Sequence, residues 1–559
     1  MKKCFPLIAV LLLLFRLSAA AQSSPTLQIT NADGNAALSW NDASASIFSL
    51  QTTTDLSHPI TWTDLSWGAG NGSANVPMTN SQQFFRLAQV MPIFQFAIFY
   101  NLDLEIAAAQ PFTIAGPVFS NGGLWSGSTG ITFANTVSAV GLATNGPGDP
   151  FTSPPYSGSG TSTYLLAGQP MSGAPPLALT ALGANNSPAA ARSILDLPPP
   201  NYAMGTAAAY SPTGAAYLAN DVDLYLTNIP NGTNWGSLTP RGTNMALFYQ
   251  DAANVPYLSL VPFDLYLLTN RTAHTIFSTN KVASDQLTNT IYAGYSFVTN
   301  AVFYDWREGW NGGSGVNGGK GKAVQAVQID IAKFNIWLTN TLANNGGGFY
   351  NNLCQQTNHK SHPIDSIYVY NAVPLTGTIL PAVRVVNGAT MPSQTAPYGF
   401  TVATPMPLYV YGNYNVSNNL GSSLGQNSTT YTSPAGLMGD SISILSGNWN
   451  DGTTSKKPVA SDTTVNAACL AGIVPSTNSM YSGGVENFPR LLQSWSSFGN
   501  LWYNGSIVAM FPSQYATNYW QQTGNYYDAP TRHFAFDTNF TDVSKLPPLT
   551  PTVVNYVSP

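Results

Sequence analysis

The chain has 559 residues, a formal net charge of −5 and only 8% charged residues, against 44% hydrophobic and 12% aromatic. Its 19 Lys and Arg are spread thinly and form no basic cluster of the kind a phosphate backbone requires, which excludes nucleic acid as a partner. So high an apolar fraction also excludes an intrinsically disordered chain and provides for a large core.

Met1-Lys2-Lys3, the apolar run Phe5 to Phe15 and Ala19-Ala20-Ala21 have the layout of a secretory signal peptide over residues 1–21. Arg16 interrupts the run short of the roughly 20 apolar residues of a membrane span. The expected product is secreted or held at the cell surface, with no transmembrane segment after cleavage. Cys4 leaves with the leader; Cys354 and Cys469 remain, either as a disulfide or, for Cys469, as a small buried strand residue.

From about Ser24 to Val90 six short strands are legible: Thr26 to Ile29, Ala37 to Trp40, Ile47 to Thr52, Thr61 to Leu65, Ser73 to Pro77 and Phe84 to Leu87. Asp33-Gly34 and Asn71-Gly72 supply the positive φ angles of tight turns. The pattern predicts a small β-sandwich over residues 24–90, with Trp40 and Trp62 in its core. Leu38-Ser39-Trp40, Leu50-Gln51, Leu56, Trp62 and Phe84-Phe85-Arg86-Leu87 resemble an immunoglobulin- or fibronectin-like module of secreted proteins of the Verrucomicrobia type.

Residues 91–559 read as one long β-solenoid-like body. Phe94 to Tyr100, Leu102 to Ile106 and Phe112 to Asn121 alternate as its opening strands. Between Pro147 and Gly214 Pro, Gly, Ser, Ala and Thr dominate, predicting loop or weakly ordered surface at the start of a loop-rich and helical insertion over about 147–370. Val324, Val327, Ile331, Phe334, Trp337, Leu338 and Leu342 recur at spacings of three and four, which predicts a helix from Lys322 to Asn344. Gly312 to Gly321 lacks the spaced Gly, Lys and Ser/Thr of a phosphate loop. Leu408 to Asn415, Ser441 to Ser446, Thr464 to Ser476 and Leu501 to Ser513, each closed by a turn-former, read as solenoid rungs. The fold class is therefore mainly β.

Several pieces of this body resemble a group of bacterial surface proteins related to PilX-type pilus-assembly proteins. They are Ile98-Phe99-Tyr100-Asn101 with Asp103 to Ile106, Gly116 to Asn121, Phe303 to Glu308 with Ile329-Asp330, Val385 to Gly388, Tyr409 to Asn415, Tyr481 to Arg490, Tyr503 to Ser506 and Leu546-Pro547-Pro548. The resemblance implies an exported, β-rich, pilus- or envelope-associated protein with envelope or pilus components as partners. Pilin-like members carry a short leader and a long apolar helix with an early Glu. This chain has neither, and a free or surface-attached body is expected instead.

Asp305, Glu308 and Asp330, with Asp365 near in sequence, are the carboxylates to consider for acid and base roles in glycoside hydrolysis. Arg307 between the first two favours an ion pair over a catalytic dyad. His359 and His362 are the weak metal candidates, with Pro363 and Lys360 against joint ligation. Glu486 and Arg490, four apart, are expected to form a structural ion pair. Tyr481, Trp495, Trp502, Tyr503, Tyr519, Trp520, Tyr526 and Tyr527 surround them, a composition suited to stacking on sugar rings. No nucleophile elbow is present and no cofactor is implied. The expected function is structural or adhesive at the cell surface, with extracellular polysaccharide a further possible partner; the alternative is a polysaccharide lyase or glycoside hydrolase.

Overall fold

Alternating strands too short to bury a face alone must stack, and in this chain they stack coil upon coil. The computed structural model describes residues 26–556 apart from 33–34, 42–46, 57–62, 70–71, 79–81, 107–109, 147–159, 183–186, 204–205, 212, 231–242, 251–255, 265–273, 276–289, 292–296, 310–314, 340–363, 393–398, 419–420, 454, 478–480, 483, 497–498 and 521–525. Contacts divide the chain into two units, residues 1–91 with 554–559, and residues 92–553.

In the first unit Thr26–Ala32, Asn35–Asn41 and Gly72–Pro77 form one antiparallel sheet. Ile47–Thr53 pairs antiparallel with both Thr63–Ala69 and Phe84–Pro92 in a second. Leu38 and Trp40 from the first sheet close a core with Phe48, Leu50 and Leu87 from the second, which is the sandwich arrangement. Trp40 is a core residue, as expected; Trp62 lies outside the described residues.

In the second unit three coils open the solenoid. Ile98–Tyr100, Leu104–Ile106 and Phe112–Ile114 lie parallel beneath Val118–Ser120, Leu124–Ser126 and Ile131–Phe133, and those beneath Val137–Ala139, Ala143–Asn145 and Thr163–Tyr164. Ile98, Val118 and Val137 are in register, a repeat of about 20 residues. The C-terminal rungs form a second run of coils. On one face Ser366–Tyr370, Phe400–Ala403, Ala435–Gly439, Ala468–Ile473 and Ile507–Pro512 are parallel. On the next, Lys322–Asp330, Ile379–Val386, Leu408–Tyr411, Ile442–Leu445 and Pro489–Leu491 are parallel. On the third, Thr463–Asn466, Asn500–Gly505 and Thr531–Phe536 are parallel.

The two runs join where Ile507–Pro512 pairs parallel with Ile98–Tyr100. One inward position can then be followed through nine strands: Leu224, Ile367, Val402, Leu437, Cys469, Ile507, Ile98, Val118 and Val137. All nine are buried. Spatial order is thus a circular shift of chain order, with the chain entering at the middle of the stack.

Polar side chains stitch the corners. The Asn466 side-chain amide donates to the Asn415 carbonyl (2.9 Å), Asn415 donates back to the Asn466 carbonyl (2.9 Å), and the Asn504 amide donates to Asn466 Oδ1 (2.7 Å). Asn121 donates to Asn101 Oδ1 (2.7 Å) in the opening coils.

Four expectations are corrected. Lys322–Asp330 is a strand, and the helix is confined to Ile331–Thr339; pairing with Val298–Asp305 and Ile379–Val386 on both sides overrides the helical spacing, and residues 340–344 lie outside the described residues. The runs Thr464 to Ser476 and Leu501 to Ser513 are each two strands, broken at corners by Ala467 and Ser506. Part of the 147–370 insertion is solenoid, because Leu224–Pro230 and Lys322–Asp330 extend two of its sheets. The Pro- and Ala-rich stretch holds short helices, Pro188–Ser193 and Leu218–Asp221 among them, whose Ala191, Ile194, Leu195 and Leu218 are buried.

Asn466→Ala removes the partners of the Asn415 carbonyl and the Asn504 amide inside a buried corner. It is expected to lower unfolding free energy by about 2 kcal/mol, seen as a lower urea midpoint with an unchanged slope. An unmoved midpoint would show that the corner amides carry no stability.

Candidate functional site

The strand Val298–Asp305 ends in a turn that buries Asp305, Trp306, Arg307 and Glu308. Asp305 folds this turn onto itself, accepting from the backbone N–H of Arg307 (2.9 Å) and Glu308 (3.3 Å). The Tyr409 hydroxyl donates to its other oxygen at 2.6 Å. Trp306 Nε1 donates to the Tyr526 carbonyl (2.9 Å), which anchors the turn to a neighbouring loop.

Glu308 is fully buried and pairs with Arg490. Its carboxylate also accepts from the backbone N–H of Thr517 (3.1 Å) and Asn518 (3.4 Å), while Arg490 donates to the Ala516 carbonyl (3.1 Å). Burial pushes the Glu308 carboxyl up from its ordinary value, opposed chiefly by the Arg490 charge. Burial, and then the like charge of Arg490, lower Arg307 to about 9, so its guanidinium remains protonated at neutral pH.

A second buried carboxylate continues this arrangement. Asp440 accepts from the backbone N–H of Gln514 (2.7 Å), Tyr515 (3.1 Å) and Ala516 (3.0 Å), and pairs with Arg192 at 3.1 Å. Burial raises its pKa, opposed by Arg192 and by those N–H groups. The consecutive amides of residues 514–518 are therefore held by two carboxylates, each backed by an arginine.

Asp330 sits at the other end of the same hairpin, since Asp305 is opposite Lys322 and Val298 is opposite Ile329. About eight residues of strand separate it from Asp305, roughly 25 Å, well beyond the spacing of a glycosidase pair. It accepts from Lys333 N–H (3.0 Å) at the start of the Ile331–Thr339 helix and from Asn387 (2.8 Å). Asp365 is buried, its N–H bonded to Asp223 at 2.9 Å. His359, His362 and Cys354 lie outside the described residues. Among the described residues no three His, Cys, Asp or Glu gather as metal ligands.

Arg490 pairs with Glu308 and not, as the four-residue spacing predicts, with Glu486. The segment is a 3-10 turn at Val485–Asn487 followed by a strand at Pro489–Leu491, so helical adjacency is lost. Glu486 instead lies with Glu105 near Tyr100, beside a pocket of about 70 Å³. Glu105, Tyr100, Asp440 and Arg192 escaped sequence reasoning because their partners lie hundreds of residues away. Of the aromatic group, Tyr481, Trp495, Tyr503, Tyr526 and Tyr527 are buried, while Trp502, Tyr519 and Trp520 are half-buried. Trp502 stacks on His533 at 4.9 Å.

Cys469 is a free, buried thiol in the inward ladder, and burial pushes it up to about 12. No family model, curated protein or solved structure matches the chain.

Two outcomes follow from this geometry. Arg490→Met strands the buried Glu308 carboxylate and is expected to cost about 3–5 kcal/mol, whereas Glu308→Gln combined with Arg490→Met costs less than the two changes summed; additive losses in a denaturation cycle would refute the pairing. In a chain with Cys4 and Cys354 changed to Ser, Cys469 is expected to resist a thiol reagent at pH 8 and to react on unfolding; fast labelling of the native chain would contradict its burial.

Proposed function

We propose that this chain is an exported structural or adhesive protein of the cell surface, a solenoid scaffold beside an envelope or pilus assembly. One observation carries the reading: Asp305, Glu308, Asp330 and Asp440 are all buried and all engaged by backbone N–H groups or arginines. Charges so occupied hold coil to coil, and a group fixed by several internal hydrogen bonds is poorly placed to exchange a proton with substrate. The resemblance of residues 91–559 to surface proteins related to pilus assembly points the same way. Among the described residues no helix is long and apolar enough to cross a membrane. The competing reading, a polysaccharide lyase or glycoside hydrolase, demands a carboxylate pair open to a sugar chain.

The two readings separate in one assay. Purified chain incubated with a panel of soluble polysaccharides is expected to release neither reducing ends nor unsaturated products. Tagged chain in the producing cell is expected to be digested by protease added outside. Sustained turnover abolished by Glu308→Gln in a folded variant, or protection from external protease, would overturn the proposal.

A further inference from the structure

We propose that the pocket between the Tyr100 to Glu105 turn and the Ile473 to Gly484 segment binds the ammonium group of an amino sugar. This site stands on its own geometry and holds whether or not the chain is exported.

The pocket has a volume of about 70 Å³ and is lined by Tyr100, Asp103, Glu105, Ser476, Ser482 and Gly484 among others. Its oxygens converge. A Cβ placed on Gly484 would stand 2.8 Å from the Glu105 carbonyl oxygen, 2.8 Å from Glu486 Oε2 and 3.0 Å from the Tyr481 hydroxyl. Gly484 also has φ +61°, so glycine suits this position both by backbone conformation and by the room it leaves. Ser476 Oγ donates to Glu105 Oε2 at 2.7 Å and accepts from Ser482 N–H at 3.0 Å, fixing one wall.

A second observation points to a ligand. Tyr100 lines the pocket, is 1% exposed, and its hydroxyl has no hydrogen-bond partner among the described residues. A buried hydroxyl without a partner costs about 1–3 kcal/mol, which a bound donor relieves. The carboxylates of Glu486 and Glu105 are close enough to act on that hydroxyl.

Charge selects the ligand class. Sequence supplies no Lys, Arg or His between Arg86 and Arg192, nor between Lys457 and Arg490, and Arg490 is committed to Glu308. Buried carboxylates without an internal cation favour an external one. A metal is disfavoured, because the described acids do not come together as a ligand set. An ammonium group, a donor in three directions, matches a wall made of acceptors. The volume holds a head group about the size of one or two waters and excludes a sugar ring. The ring must lie outside, where Tyr481 meets the half-buried Trp520 edge to face at 5.8 Å, and this aromatic pair favours a saccharide carrier.

Calorimetry on the full chain decides the matter, with glucosamine, N-acetylglucosamine, glucose, Nα-acetyl-lysine amide and calcium chloride as probes. Glucosamine is expected to bind roughly tenfold or more tightly than the other four, a gap of one decade in Kd. Glu486→Gln is expected to weaken glucosamine by a similar factor, and Tyr100→Phe severalfold at an unchanged melting temperature. Glucosamine binding no better than glucose, a lysine derivative or calcium binding as well or better, or unaltered binding by folded Glu486→Gln, each overturns the proposal. Should Glu486→Gln fail to fold, Tyr100→Phe decides alone, since it keeps the ring and removes only the hydroxyl.

Discussion

Everything in the solenoid depends on one inward position being aliphatic, or as small and apolar as Cys469, in every coil. Parallel strands of three to six residues bury little by themselves, and each adds stability only if its inward side chain meets those above and below. Leu437, Cys469, Ile507 and Ile98 satisfy this across the seam as well as within each run. Two sheet edges that would otherwise expose unpaired N–H and C=O groups close on each other there. Bringing Ile98 against Ile507 fixes a loop of some 400 residues, whose closure entropy grows only logarithmically with length.

The scarcity of charge gives meaning to where charges sit. Corners leave backbone N–H groups that no ladder satisfies, and a buried N–H without a partner is costly. Asp440 and Glu308 supply acceptors to the consecutive amides of residues 514–518, a stretch that leads from one face toward the next. Carboxylates in such a place require compensation, and Arg192 and Arg490 come from elsewhere in the fold to give it. Asn415, Asn466 and Asn504 perform the neutral version of the same task, each amide offering a donor and an acceptor to the coils on either side.

Local pattern made the strands legible: the sandwich strands, the opening coils and the C-terminal rungs all show in side-chain alternation. What pattern misread was competition between periods. Val324, Val327 and Ile331 fit a helix, yet Lys322–Asp330 has partners on both flanks, and ladder hydrogen bonds outweigh a weak helical preference. Ala467 and Ser506 sit in unbroken apolar runs, so nothing local marks them as corners. Pairings such as Glu308 with Arg490, Arg192 with Asp440 and Tyr100 beside Glu486 join distant segments, and spacing rules that assume a single helix see none of them.

The circular order of coils forces one more element into existence. After its third coil the chain stands at one end of the stack, and its next solenoid strand, Leu224–Pro230, lies at the other. Eight ladder steps of ~4.8 Å put these ends roughly 40 Å apart. A connection must therefore run back along the outside, and its contacts mark the route. Leu177 exchanges hydrogen bonds with Asn121, Arg192 meets Asp440 and the Pro405 carbonyl, Leu195 accepts from the Tyr368 hydroxyl, and Asp223 N–H reaches Ser366. Residues 177–223, at ~3.3 Å each when extended, exceed that distance severalfold. The surplus is taken up by the short helices Pro188–Ser193 and Leu218–Asp221 and by 3-10 turns between them. A Pro- and Ala-rich composition suits such a strap: proline starts short helices at their first turn, and alanine packs closely without side-chain entropy to lose. Arg192 then fastens the strap midway to the same Asp440 that holds residues 514–516, so the return connection and the coil corner share a single buried charge pair.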